Sequence, residues 1–84
     1  MKYTVVWKPD AEDELARLWQ ASSQQGAISA AADQIDRVLG QRPLDEGESR
    51  GGSMRVIFLP PLGVFYHVSE DDRLVSVLRV WQFD

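Results

Sequence analysis

Residues 55–68 read RVIFLPPLGVFYHV. Two apolar runs, rich in β-branched and aromatic residues, flank Pro-Pro-Leu-Gly, a pattern that predicts two strands joined in a hairpin. An arginine stands at one end and the chain's only histidine near the other. Which face of the hairpin carries those two side chains decides whether the segment is core alone or also a site.

The flanking sequence completes the fold. In KYTVVW, residues 2–7, Tyr3, Val5 and Trp7 alternate with Thr4 and Val6, which predicts a strand. Pro9 suits the first position of a helix, and Asp10, Glu12, Asp13 and Glu14 follow where the positive end of a helix dipole favours carboxylates. That acidic run reads as a solvated first turn of a helix reaching about Ser22, with Ala11, Leu15, Leu18 and Trp19 along one face. Ile28, Ala31, Ala32, Ile35, Val38 and Leu39 recur at helical spacing in a second helix from Ala27 to Leu39, with Gly40 as its stop. The stretch QRPLDEGESRGGS, residues 41–53, is a polar loop in which Arg50 has Glu46 and Glu48 for neighbours. Three strands follow, over 54–59, 64–68 and 74–81, with connections short enough for an antiparallel meander.

At 84 residues the chain is expected to form one domain over residues 1–84, a single sheet covered by one layer of helices. It has no cysteine and one histidine, so no disulfide, thiolate metal site or histidine-built metal site is expected, and no cofactor. No stretch nears the roughly 18 apolar residues of a membrane span, and the expected setting is the cytoplasm. The net charge of -4 lacks the basic excess that recruits nucleic-acid phosphates. Residues 1–49 hold five Lys/Arg against nine Asp/Glu and residues 50–84 four against four, so an anion site is expected in the second half.

The order strand, helix, helix, three strands, together with VFYHV and VSVLRVW in the last two strands, resembles the RelE/ParE family of bacterial toxins. The resemblance spans nearly the whole chain. It implies an α+β fold, a four-stranded antiparallel sheet with a helical hairpin on one face, and a cognate antitoxin that wraps and neutralises the toxin. Some members cut messenger RNA on the ribosome without a metal, and others poison DNA gyrase. Arg55 matches a basic position on the second strand of the messenger-cutting members. Where they carry an arginine at the start of the third strand this chain has Gly63, and where they place basic residues, histidine or tyrosine at the C-terminal end it has Trp81, Gln82 and Phe83.

Alternation sorts the strand residues into two faces. One holds Val56, Phe58, Val64, Tyr66, Val68, Leu74, Leu78 and Val80; the other holds Arg55, Ile57, Leu59, Phe65, His67, Val75, Val77, Arg79 and Trp81. The helices cover one face, and the arginines point to the other as the bare one. With Pro60, Pro61 and Leu62 as the loop, Ile57 would lie opposite Phe65, Arg55 opposite His67, Val75 beside His67 and Arg79 beside Gly63. Ile57, Phe65, Val77 and Trp81 would then form an exposed apolar patch for a partner. Arg55 and Arg79 would be the cations, and His67 the proton acceptor, of a metal-free ribonuclease.

Three function classes stay open. The protein is a toxin-like module component neutralised by an antitoxin and directed at gyrase, or an attenuated relative retaining antitoxin binding or self-association as a homodimer. The alternative is a metal-free, ribosome-dependent messenger endonuclease. The acidic charge and the C-terminal WQFD, without acid or base before Asp84, favour the first two over an enzyme.

Overall fold

The computed structural model describes residues 2–83. Strand β1 (Thr4–Trp7) leads into helices α1 (Pro9–Ala21) and α2 (Gln25–Gln41), followed by β2 (Glu48–Ser49), β3 (Met54–Leu59), β4 (Leu62–Ser69) and β5 (Leu74–Gln82). The strands form one sheet in the order β1-β5-β4-β3-β2. Strand β1 runs parallel to β5, whereas the other neighbours are antiparallel. The sheet is thus mixed and five-stranded rather than antiparallel and four-stranded. The two helices carry the chain from β1 at one edge of the sheet to the opposite edge, where the loop after α2 contributes the short β2.

The helices cover one face of the sheet. Ala11 of α1 and Ile28, Ala31, Ile35 and Leu39 of α2 are buried against Ile57, Leu62, Val64, Tyr66, Val68, Val75, Val77 and Val80. Helix α2 does not stop at Gly40 but runs one residue further. Its Gly40 carbonyl accepts the Tyr3 N–H at 2.7 Å, and a Cβ there would lie 3.6 Å from the Tyr3 carbonyl oxygen, an ordinary contact.

Two corrections to the expected faces follow from register. The β3–β4 hairpin turns on Pro60 and Pro61 alone, joined by a cis peptide bond, so Leu59 pairs with Leu62, Ile57 with Val64 and Arg55 with Tyr66. That is one residue away from the expected pairing, and a one-residue slip exchanges the faces of a strand. Ile57 is therefore core, 6% exposed, while Phe58 points to the bare face and is 48% exposed. The second correction lies in β5, where the pairing with β4 shifts between Phe65↔Arg79 and Tyr66↔Val77. This bulge lets Val75, Val77 and Val80 all point inward, so Val77 is fully buried rather than part of a surface patch. Val75 lies opposite Val68, not beside His67, and Arg79 opposite Phe65, not beside Gly63.

The loop after α2 is tied to the core through Tyr66. The buried Tyr66 hydroxyl lies 2.9 Å from the carbonyl oxygens of both Pro43 and Glu46 and donates its proton between them. Gly47 follows with φ of 77°, and a Cβ there would meet the Val56 carbonyl oxygen at 2.5 Å and the Tyr66 hydroxyl at 2.7 Å. Only glycine fits both that conformation and that space. Tyr66→Phe removes the donor while keeping the ring, and is expected to cost about 1–2 kcal/mol in urea unfolding. Gly47→Ala should cost more than Tyr66→Phe, because clash and strain add; equal stability of Gly47→Ala and wild type would refute the account.

Candidate functional site

The three residues expected to share an anion site stand on three different supports. Arg55 pairs with Tyr66 on the helix-covered face, and its guanidinium donates to the backbone of the loop, to the Glu46 oxygen at 3.4 Å and to the Gly47 oxygen at 3.1 Å. It holds the same loop as Tyr66, whose phenol is pushed above its ordinary range by burial, with the nearby Arg55 partly opposing that shift. His67 is on the open face, opposite Met54 and Ser76, with Nε2 3.0 Å from the Ser53 hydroxyl.

Arg79 lies just past the bulge and turns to the edge of the sheet, where Nε and Nη2 donate to Glu14 Oε2 of α1 at 2.9 and 2.5 Å. The other carboxylate oxygen accepts the Val80 backbone N–H at 3.1 Å. The arginine hydrogen bonds first, then the Val80 N–H, hold the Glu14 carboxyl below its ordinary value of 4.5 against the opposing effect of burial. The same contact raises the Arg79 guanidinium further. Arg79 is therefore neutralised from within the fold, Arg55 is committed to loop carbonyls, and His67 is alone with a serine. Among the described residues no group of three or more His, Cys, Asp or Glu side chains is placed to hold a metal.

What the open face does assemble is an aromatic cluster at the hairpin end. Trp81 lies across Gly63 of the neighbouring strand so closely that a Cβ on residue 63 would stand 2.7 Å from the indole. Phe58 meets Trp81 edge-on with ring centroids 6.0 Å apart and meets Phe83 at 5.3 Å. Phe83 is 46% exposed, and its N–H is fixed to the Pro61 carbonyl at 3.0 Å. Phe65 lies on the same face, half-buried. Of the expected patch, Phe65 and Trp81 are on this face, Ile57 and Val77 are core, and Phe58 and Phe83 take their place. Phe58 was legible in the sequence to anyone assigning the hairpin a two-residue turn. The role of Glu14 was not, because its partners lie 65 and 66 residues away.

A model of a known family, the ParE toxin of the parDE type II toxin-antitoxin system, matches residues 5–82. The chain belongs to this ParE toxin family. Solved structures agree on the architecture of this ParE-family chain. It superposes with a TM-score of 0.80 on a chain of the Mycobacterium tuberculosis RelBE2 toxin-antitoxin complex, at 20% identity over 98% of this chain and 99% of that one. A chain of the chromosomal ParDE system of P. aeruginosa gives 0.70 at 18% identity, covering 99% and 98%. The isolated RelE toxin of E. coli gives 0.69 at 18%, covering 98% and 85%. At these identities the likeness is one of fold. No curated protein matches the chain in sequence. No helix of the described residues is long and apolar enough to cross a membrane.

The Glu14 contact sets a pH dependence. A carboxyl depressed in the folded state stabilises the fold above its unfolded value near 4.5, and that contribution is lost as pH falls through the lower folded value. Glu14→Gln should therefore unfold at lower temperature than wild type near neutral pH, with the gap closing as pH falls below the ordinary carboxylate range. Thermal unfolding across this range checks it; a gap that persists in acid would assign the effect to packing instead.

Proposed function

We propose that this type II toxin acts by occupying a macromolecular target through the open sheet face rather than by cleaving RNA, and that an antitoxin encoded beside it neutralises it. The observation that carries this reading is the dispersal of Arg55, His67 and Arg79. Transesterification at a phosphate requires a base, an acid and cations within reach of one phosphorus. Here one arginine is spent on loop carbonyls and the other on a carboxylate. The cluster of exposed Phe58 and Phe83 with half-buried Trp81 is the kind of surface that anchors protein interfaces, since large rings desolvate well and lose little side-chain entropy. The family resemblance supplies DNA gyrase as the target of the non-cutting members, and it is the target favoured for this chain. The antitoxin partner rests on family membership and on the toxin-antitoxin complexes among its structural relatives.

Expression of the chain alone should slow growth, with relaxed DNA appearing while messengers remain intact, and co-expression of the adjacent small protein should restore growth. Trp81→Ala and Phe58→Ala should each weaken target binding by more than about 1 kcal/mol. Neither should unfold the domain, because both rings lie on the open face. His67→Ala should leave toxicity unchanged. Messengers cut at ribosomal positions, with cutting abolished by His67→Ala, would overturn the reading in favour of the metal-free ribonuclease.

A further inference from the structure

The turn between β2 and β3 brings a hydroxyl to the chain's only histidine. Ser53 stands just before β3, and its carbonyl accepts the Val68 N–H at 3.1 Å, which extends the pairing of β3 with β4 by one residue. His67 is held beside it, opposite Met54, and its Nε2 lies 3.0 Å from the Ser53 hydroxyl. With the ring proton on Nδ1, Nε2 accepts the hydroxyl proton. Among the described residues the ion pairs are Arg50–Glu48 and Arg79–Glu14, so no carboxylate is bound to the imidazole. The ring is half-buried on the sheet, whereas Ser53 is exposed.

The backbone ahead of the serine adds a second kind of group. Gly51 and Gly52 take φ of 102° and 57°, the left-handed region that favours glycine. The Gly51 N–H donates to the Ser49 hydroxyl at 3.3 Å, and the Met54 N–H donates to the Gly51 carbonyl at 3.1 Å. Between them, the N–H groups of Gly52 and Ser53 find no acceptor among the described residues. Free backbone donors beside an attacking hydroxyl are the groups that stabilise the oxyanion formed at a carbonyl. A Cβ on Gly51 or Gly52 would meet nothing within 4 Å, so the turn leaves room for a reactant. Ser49 supplies an internal contrast: it is exposed in the same turn, but its hydroxyl is engaged by the Gly51 N–H and bonded to no imidazole.

We propose that Ser53 is a modification site that takes an acyl group from small activated acyl donors, with His67 as its general base. The Ser53 Oγ attacks the carbonyl carbon of the donor while Nε2 takes the hydroxyl proton, and the N–H groups of Gly52 and Ser53 receive the oxyanion. Collapse of the tetrahedral intermediate breaks the bond to the leaving group, which departs with the proton held by His67. The products are an ester on Ser53 and the free alcohol, phenol or thiol. The donor carries a good leaving group and the serine ester a poor one, so acylation runs and hydrolysis lags. No third side chain orients the imidazole among the described residues, and the serine is therefore an acceptor rather than the nucleophile of a hydrolase. The proposal is independent of the reading of the toxin's target, in which His67 has no part.

The test uses the intact protein and p-nitrophenyl acetate, with nitrophenolate release followed by absorbance and the acetylated residue located by peptide mass spectrometry. A stoichiometric burst should leave an acetyl group on Ser53 and not on Ser49. Ser53→Ala should remove the acetyl-serine. His67→Gln, which keeps a hydrogen-bonding side chain but no base, should slow acetylation of Ser53 by about a hundredfold, and added imidazole should restore part of the rate. A merely structural histidine would not be replaced by imidazole in solution. Both substitutions lie at the surface and should leave the unfolding temperature near wild type. Acetylation of Ser49 as fast as Ser53, or an undiminished rate in His67→Gln, overturns the proposal. So does an acetyl group that stays on His67 with none on Ser53, since the ring is then the nucleophile. Should His67→Gln fail to fold, the comparison of Ser53 with Ser49 in the wild-type protein still decides.

Discussion

The inserted residue in β5 is the constraint on which the rest of the molecule depends. Strand β5 is bonded on both sides, parallel to β1 through Leu74–Val77 and antiparallel to β4 through Gln82. Strict alternation would place Arg79 on the same side as Val75 and Val77, under the helices, where an unpaired guanidinium is prohibitively costly. The bulge resets the phase, so that Val80 continues the core and Arg79 and Trp81 emerge on the other side. It also occurs where β1 ceases to pair, leaving the Val80 N–H without a strand partner, and the Glu14 carboxylate takes that position. One side chain of α1 thus closes the sheet edge, neutralises Arg79 and ties the helix to the strand.

The order and type of the elements were legible from β-branched alternation, the Pro9 start with its acidic turn and the helical spacing in α2. The faces were not, because period-two alternation fixes only relative orientation within an unbroken strand. Its phase in β3 depends on whether the hairpin loop holds two residues or three, and Pro-Pro-Leu-Gly accommodates either. In β5 the phase changes midway at Leu78 and Arg79, residues with no glycine or proline to mark a bulge. The parallel β1–β5 pairing was hidden for a different reason: β1 is separated from its partner by almost the entire chain, and local pattern carries no information about such a contact. Val64, Tyr66 and Val68 were assigned to the covered face correctly, since that face of β4 depends on neither turn nor bulge.

The same two errors of phase explain why Arg55, His67 and Arg79 could be drawn together from the sequence and stand apart in the fold. Arg55 and His67 were adjacent only in the three-residue-loop register. In the actual register they lie on opposite sides of the sheet, and Arg55 joins Tyr66 in holding the loop from Pro43 to Gly47. The two outer surfaces of this two-layer molecule differ in chemistry: aromatic on the sheet, acidic and grooved on the helices.

The contact between Trp81 and Gly63 also restricts the paths open to this sequence in evolution. Messenger-cutting relatives, as the family resemblance has it, carry an arginine where this chain has Gly63. Any side chain at that position would enter the space the indole now fills, beginning with its first carbon. An arginine at position 63 and the indole in its present place therefore compete for one space. A side chain at position 63 would have to displace the indole, and with it part of the aromatic surface, before it could occupy that place.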